Sequence, residues 1–263
     1  MQKISAATGW TWFKQGFALF RRQPAEFSTL FLSYLFLMLI VGLVPLAGQI
    51  LPLVLVPVFS MAFMEACIKV EKGERVYPNL LLTGFKSPAL PRLLILGVLY
   101  LMAVVAAVGA STLIDGGAFL GMMTKAGAAS PAALSNTNWA QAMMVAALVY
   151  LPAGMCFWFA APLVAWQDMP IGKALFYSFF AVARAGKAFV LYLLAWLMMG
   201  VIVPSILSTI VALMFGNTLV SLMVLLPLSL ILTAVLYCSF YPIYVTVFSA
   251  PTTSQASPDD TPS

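Results

Sequence analysis

Few side chains in this 263-residue chain are equipped for chemistry, and their spacing narrows what they can do. Histidine is absent, which removes the commonest metal ligand and the usual general base near neutral pH. Of the eight acidic residues, only Glu65 lies clearly inside an apolar run, with Asp115 and Asp168 at the ends of others. An ionisable group inside a membrane span is by default a candidate functional site, here a proton- or cation-coupling carboxylate. Glu65 also precedes Lys69 by four residues, the favourable order for a helical ion pair, and as such a pair it is a structural group near the interface. Both readings of Glu65 stand on sequence, the ion pair being the simpler. Asp115 opens an Asp-Gly-Gly turn, and Asp168, just before Met169-Pro170, fits a cap or turn into the next helix.

Cys67, Cys156 and Cys238 are each isolated in apolar sequence, without the spacing of a zinc site or a disulfide framework. They read as small buried hydrophobes. There is no P-loop, GxSxG, HExxH or paired acidic cluster for Mg²⁺. The expectation is a protein that is not an enzyme, with no catalytic, metal or cofactor-binding residues and no cofactor.

Composition says where such a chain lives. Apolar residues make up 63% and charged residues 8%, with a mean hydropathy of +1.02. A soluble domain carries about a quarter charged residues, so these few cannot cover a water-facing surface. The expected fold class is all-α: a polytopic transmembrane bundle of about six helices with amphipathic helices at the interface. Runs near the ~20 residues needed to cross a bilayer fall at 27–48, 49–68, 93–114, 140–166, 188–215 and 219–248. Residues 1–248 thus form one membrane domain, and the polar, Pro-rich stretch 249–263 reads as a disordered cytoplasmic tail. No short apolar core with a small-residue cleavage site precedes the first span, so that span is expected to stay in the mature protein.

The net charge of +5 is about topology rather than nucleic acid, because the cations fall between apolar runs instead of on one solvated face. Twelve of the thirteen Lys and Arg lie before the first span, between the second and third, or between the fourth and fifth; only Lys125 lies on the opposite side. Cytoplasmic loops carry the Lys/Arg excess. Both termini and the two charged loops are therefore expected in the cytoplasm.

Ahead of the first span runs "GWTWFKQGFALFRRQP", Gly9–Pro24. As a helix it places Trp12, Phe13, Phe17, Leu19 and Phe20 on one side and Lys14, Arg21 and Arg22 on the other. It is too short and too charged to span, and reads as a helix lying at the interface with its aromatics in the acyl region. Arg21, Arg22, Lys173, Arg184 and Lys187 are the candidate contacts for anionic phospholipid headgroups. Aligning "GFALFRRQPAEF" (Gly16–Phe27) with "SFFAVARAGKAF" (Ser178–Phe189) matches Phe17 to Phe179, Arg22 to Arg184 and Phe27 to Phe189. Leu-Pro pairs at Pro52, Pro152 and Pro227 are expected in the first turn of each pair's second helix, where the missing N–H is harmless. Together these suggest three degenerate repeats, each an interfacial helix followed by a transmembrane hairpin.

Ala103, Ala107 and Ser111, and also Ala106 and Ala110, have the small-xxx-small spacing that lets helices approach in lipid. Pro57 and Pro162 interrupt the second and fourth spans, as ordinary kinks or as breaks lining a substrate path.

The N-terminal stretch, "LVPVFSMAFMEA" (Leu55–Ala66) and Tyr150–Trp196 resemble a family of uncharacterised proteobacterial inner-membrane proteins of about this length, in the same order over most of the chain. The resemblance implies a six-helix inner-membrane protein and brings no active-site residues. A fainter similarity of layout links such chains to the membrane portions attached to some glycerophosphodiester phosphodiesterases, whose catalytic domain has no counterpart here. The leading expectation is a protein that organises or assists lipids or partner membrane proteins. Its partners would be the bilayer, anionic headgroups and either another membrane protein or a second copy, with no nucleic acid. The alternative is a small transporter or channel subunit with Pro57 and Pro162 along the path and Glu65 at its mouth.

Overall fold

The computed structural model describes residues 4–45, 47–117, 120–121, 139–216 and 218–248. The loop carrying Lys125 and the tail 249–263 lie outside the described residues. Among those residues all regular structure is helical, and six helical tracts are long and apolar enough to cross a membrane. In chain order the helices are α1 (Ala7–Arg22), α2 (Pro24–Gly42), α3 (Ala47–Glu71), the single turn α4 (Thr83–Lys86), α5 (Leu90–Asp115), α6 (Trp139–Phe157), α7 (Ala160–Trp166), α8 (Ile171–Arg184), α9 (Gly186–Leu197), α10 (Val203–Phe215) and α11 (Thr218–Phe248). A 3-10 turn (Pro78–Leu82) leads into α4, and a π-helical turn (Met198–Ile202) joins α9 to α10.

Proline and glycine set the boundaries. Pro24, whose missing N–H is harmless in a first turn, opens α2 directly after α1. Gly116 and Gly216 end α5 and α10 in the left-handed conformation (φ +62° and +58°), which spares a Cβ at the turn. Next to the first of these, the Asp115 carboxylate accepts from Gly117 N at 2.9 Å, the local turn its sequence suggests.

The fourth and fifth spans are not uniform α-helix. The fourth breaks at Trp158–Phe159 because the Pro162 ring displaces the carbonyl four residues back, that of Trp158. The fifth passes through its π turn over Gly200, four residues before Pro204, for the same reason. Pro52, Pro152 and Pro227, by contrast, lie inside α3, α6 and α11 rather than in first turns. These helices begin several residues earlier than the Leu-Pro pairs implied, since turns of apolar sequence precede each proline.

Each of these second spans carries a further proline. Pro57, Pro162 and Pro242 lie in α3, α7 and α11, in the second span of each hairpin, and each is followed by two buried residues. An amphipathic segment crosses each of these spans beside its proline. Gly84 of α4 touches Val58, Ser178 of α8 bonds Phe159, and Gly16 of α1 touches Ser239. Ser178 and Gly16 therefore contact the residue three before Pro162 and Pro242 respectively. Each segment docks on the second span of another hairpin: α4 on the first, α8 on the second and α1 on the third.

Candidate functional site

The N-terminal helix is where the structure departs from the interfacial-anchor expectation. Trp12, Phe13, Leu19 and Phe20 are buried against protein, chiefly α9 and α11, rather than offered to acyl chains. Trp12 is fully buried, donates from Nε1 to Thr246 Oγ1 at 3.1 Å, and meets the rings of Phe189 and Tyr192. Phe13 and Phe17 pack on Trp196. Two glycines permit this approach: a Cβ on Gly9 would lie 2.0 Å from Ala188 O, and one on Gly16 would lie 2.6 Å from Ser239 Cβ. Amphipathicity alone cannot tell a lipid-facing stripe from a protein-facing one, and glycines seven apart on the apolar face are the signal that separates them.

The other amphipathic helix is arranged the opposite way. On α8 the inward stripe is Ala174, Ser178 and Val182, while Phe176, Tyr177 and Phe180 are exposed beside the exposed Lys173. Lys173 Nζ stands 5.7 Å from the centre of the Tyr177 ring. Arg21, Arg22, Arg184 and Lys187 are likewise exposed. The cation-bearing segments are tied together at one end of the bundle. Gln23 donates to Glu74 O at 2.7 Å and accepts from Val76 N at 3.1 Å, joining the start of the chain to the loop after α3. Arg92, at the start of α5, pairs with Asp168 in the loop before α8. Tyr241 donates to Glu71 Oε2 at 2.8 Å, bringing the end of α11 to the same place.

Glu65 does not pair with Lys69. Lys69 Nζ bonds Glu74 Oε2 at 3.1 Å, because the chain turns back after α3 and brings a more exposed carboxylate within reach. Among the described residues Glu65 makes no ion pair or hydrogen bond, and it is half-buried. Nor is it among the residues lining the inner cavity described next.

Pro57 and Pro162 do come together. Both line a cavity of about 390 Å³ enclosed by α3, α5, α6, α7 and α11. Its polar groups are Ser60, Thr233, the tyrosines Tyr100, Tyr150 and Tyr237, and the buried Trp158 Nε1, which has no hydrogen-bond partner among the described residues. Tyr100 and Tyr150 meet edge to face at 6.3 Å, and Tyr237 meets Tyr34 edge to face at 6.2 Å. The sequence reading passed over this cluster. Its signal is the mid-span placement of Tyr100, Tyr150 and Tyr237, polar groups that hydrocarbon does not solvate.

The bundle wall beside the cavity is held by hydrogen bonds at the break in the fourth span. Ser178 Oγ donates to Met155 O at 2.8 Å and accepts from Phe159 N at 2.9 Å, satisfying backbone groups that the break leaves open. Cys67 and Cys238, remote in sequence, are both buried, and the Cys67 thiol points at Cys238 O at 3.8 Å. Among the described residues no three His, Cys, Asp or Glu side chains converge on a metal-sized space.

Six apolar spans, two amphipathic helices docked across them and an uncharged inner cavity define a polytopic helical membrane protein. The chain is 42% identical over 247 residues to a probable inner membrane protein of Burkholderia thailandensis, covering 92% of this chain and 91% of that one. It belongs to that family of proteobacterial inner-membrane proteins. No family model and no solved structure matches the chain.

Proposed function

We propose that this inner-membrane protein is a non-catalytic organiser of lipids or of partner membrane proteins, with both termini and the charged loops in the cytoplasm. The observation that carries the reading is the gathering of its cation-bearing segments at one end of the bundle, where Arg21, Arg22, Lys173, Arg184 and Lys187 are exposed. The aromatic face of α8 lies beside these cations and suits the headgroup boundary. Each near-surface cation contributes about 1 kcal/mol toward an anionic leaflet. Reversing Arg21 and Arg22 to Glu therefore removes two attractions and adds two repulsions, about 4 kcal/mol at most by the same rule. The test is native mass spectrometry of lipid-nanodisc extracts, together with accessibility labelling of the termini. The expected result is loss of retained anionic lipid or mixed orientation. Unchanged lipid retention and orientation remove the headgroup reading.

A second reading, a small transporter or channel subunit, is favoured by one observation: the proline-interrupted second and fourth spans meet at a single cavity.

A further inference from the structure

We infer that the cavity beside Pro57 and Pro162 is a binding site for an uncharged, oxygen-bearing amphiphile of the bilayer, admitted sideways through the cleft between the last two spans. The inference does not rest on the headgroup reading, since none of those cations lines the cavity.

Charge comes first. The lining holds no Asp, Glu, Lys or Arg. An ion placed there has no counter-charge, so the occupant is neutral where it is enclosed. Polarity narrows it further. Tyr100, Tyr150, Tyr237 and Trp158 all line the cavity, and Trp158 Nε1 is a buried donor with no hydrogen-bond partner among the described residues. Unspent donors in an apolar enclosure are costly, and a carbonyl or hydroxyl oxygen on the occupant satisfies them. The Ser60 hydroxyl already donates to Pro57 O at 2.8 Å, so toward an occupant it acts as an acceptor.

Most of the remaining wall is apolar, with the flat rings of Phe157, Phe159 and Phe240 among its members. The volume of about 390 Å³ lies within the range of small-molecule sites. Gly154 widens the cavity: the nearest group to a Cβ there is the Tyr150 ring, at 3.4 Å.

Access is also built in. A larger cleft of about 920 Å³ runs between the fifth span and α11, past Gly200 of the π turn and Pro204. It shares Thr233 and Leu236 with the inner cavity, so the two spaces adjoin. Serines 205, 208 and 229 line the cleft and give an oxygen-bearing molecule polar points along the way.

Two membrane molecules present this chemistry, a quinone ring with its carbonyls and a glyceride with its ester groups. Full-length protein stripped of endogenous lipid is titrated with decylubiquinone and separately with dioleoylglycerol, with dioleoylphosphatidylglycerol as the anionic comparison. Tryptophan fluorescence and native mass report binding. Saturable one-to-one binding of a neutral probe is expected, lost in Gly154→Leu and weakened roughly tenfold in the Tyr100→Phe/Tyr150→Phe double variant. Binding of decylubiquinone alone assigns the site to quinones; binding of the glyceride alone assigns it to acyl esters. The inference is overturned if neither neutral probe saturates, if the anionic lipid competes equally, or if folded Gly154→Leu protein binds like wild type. Should Gly154→Leu not fold, the tyrosine variant decides, because it keeps the ring packing; unchanged affinity there overturns the inference equally. Anionic-lipid retention by the Arg21/Arg22 variant is a separate readout, so either proposal can fail alone.

Discussion

The docking of α1 can be tested by adding a single methyl group. In an open helix interior, Gly→Ala raises stability by about 1 kcal/mol through backbone entropy alone. Gly109 in α5 is such a site, with nothing within 4 Å of an added Cβ. Gly16 differs, since its Cβ would sit 2.6 Å from Ser239 Cβ and 3.0 Å from Ser239 Cα, and backbone cannot swing aside. Gly9 is tighter still, at 2.0 Å from Ala188 O and 2.9 Å from Tyr192 N. Forcing such contacts costs about 1–3 kcal/mol where the helix can shift, more where it cannot. Subtracting the propensity gain leaves Gly16→Ala between neutral and about 2 kcal/mol destabilising, and Gly9→Ala worse. The assay is thermal unfolding in nanodiscs, read alongside trypsin cleavage after Arg21 and Arg22, which rises if α1 undocks. The expected order of stability is Gly109→Ala above wild type, then Gly16→Ala, then Gly9→Ala. If both α1 variants gain stability as Gly109→Ala does, the aromatic face of α1 lies in lipid and the docked arrangement is wrong.

Ser178→Ala strands Phe159 N–H and Met155 C=O at the break in the fourth span, and each stranded group costs about 1–3 kcal/mol. A Tm within a degree of wild type would show that the break does not depend on that hydroxyl. Glu65→Gln removes a half-buried carboxylate that has no partner among the described residues, while Lys69 keeps Glu74. Its Tm is therefore expected to hold or rise, and any solute flux through the protein in liposomes should survive the change. Loss of flux would restore Glu65 as a coupling group.

Much of the architecture was legible because hydrocarbon permits few solutions. Apolar runs of span length must be helices there, since every backbone donor and acceptor needs a partner within the segment. The spans were therefore readable to within a few residues, and Gly216 and Pro24 marked real ends. What the sequence concealed were choices between equivalent surfaces. The aromatic stripe of α1 satisfies a lipid interface or a protein groove equally well, and α8, with nearly the same composition, takes the opposite choice. The discriminating residues are small: Gly9 and Gly16 on α1, and Ala174 and Ser178 on α8, each marking the face that touches backbone.

The same logic explains why Glu65 stands out in the sequence and the cavity tyrosines do not. Charge draws attention in a membrane sequence because an isolated charge is costly, which made Glu65 conspicuous. Yet a half-buried carboxylate near a span end has cheaper ways to be tolerated than a function. Phenols carry no such penalty and attract no notice singly; they matter only where the fold brings three of them from α5, α6 and α11 around one space. The break before Pro162 parts α6 from α7 beside this space, and Pro57 of α3 lines its opposite wall. Prolines that read as ordinary kinks one at a time both line a cavity in which an uncharged molecule finds hydrogen-bond donors.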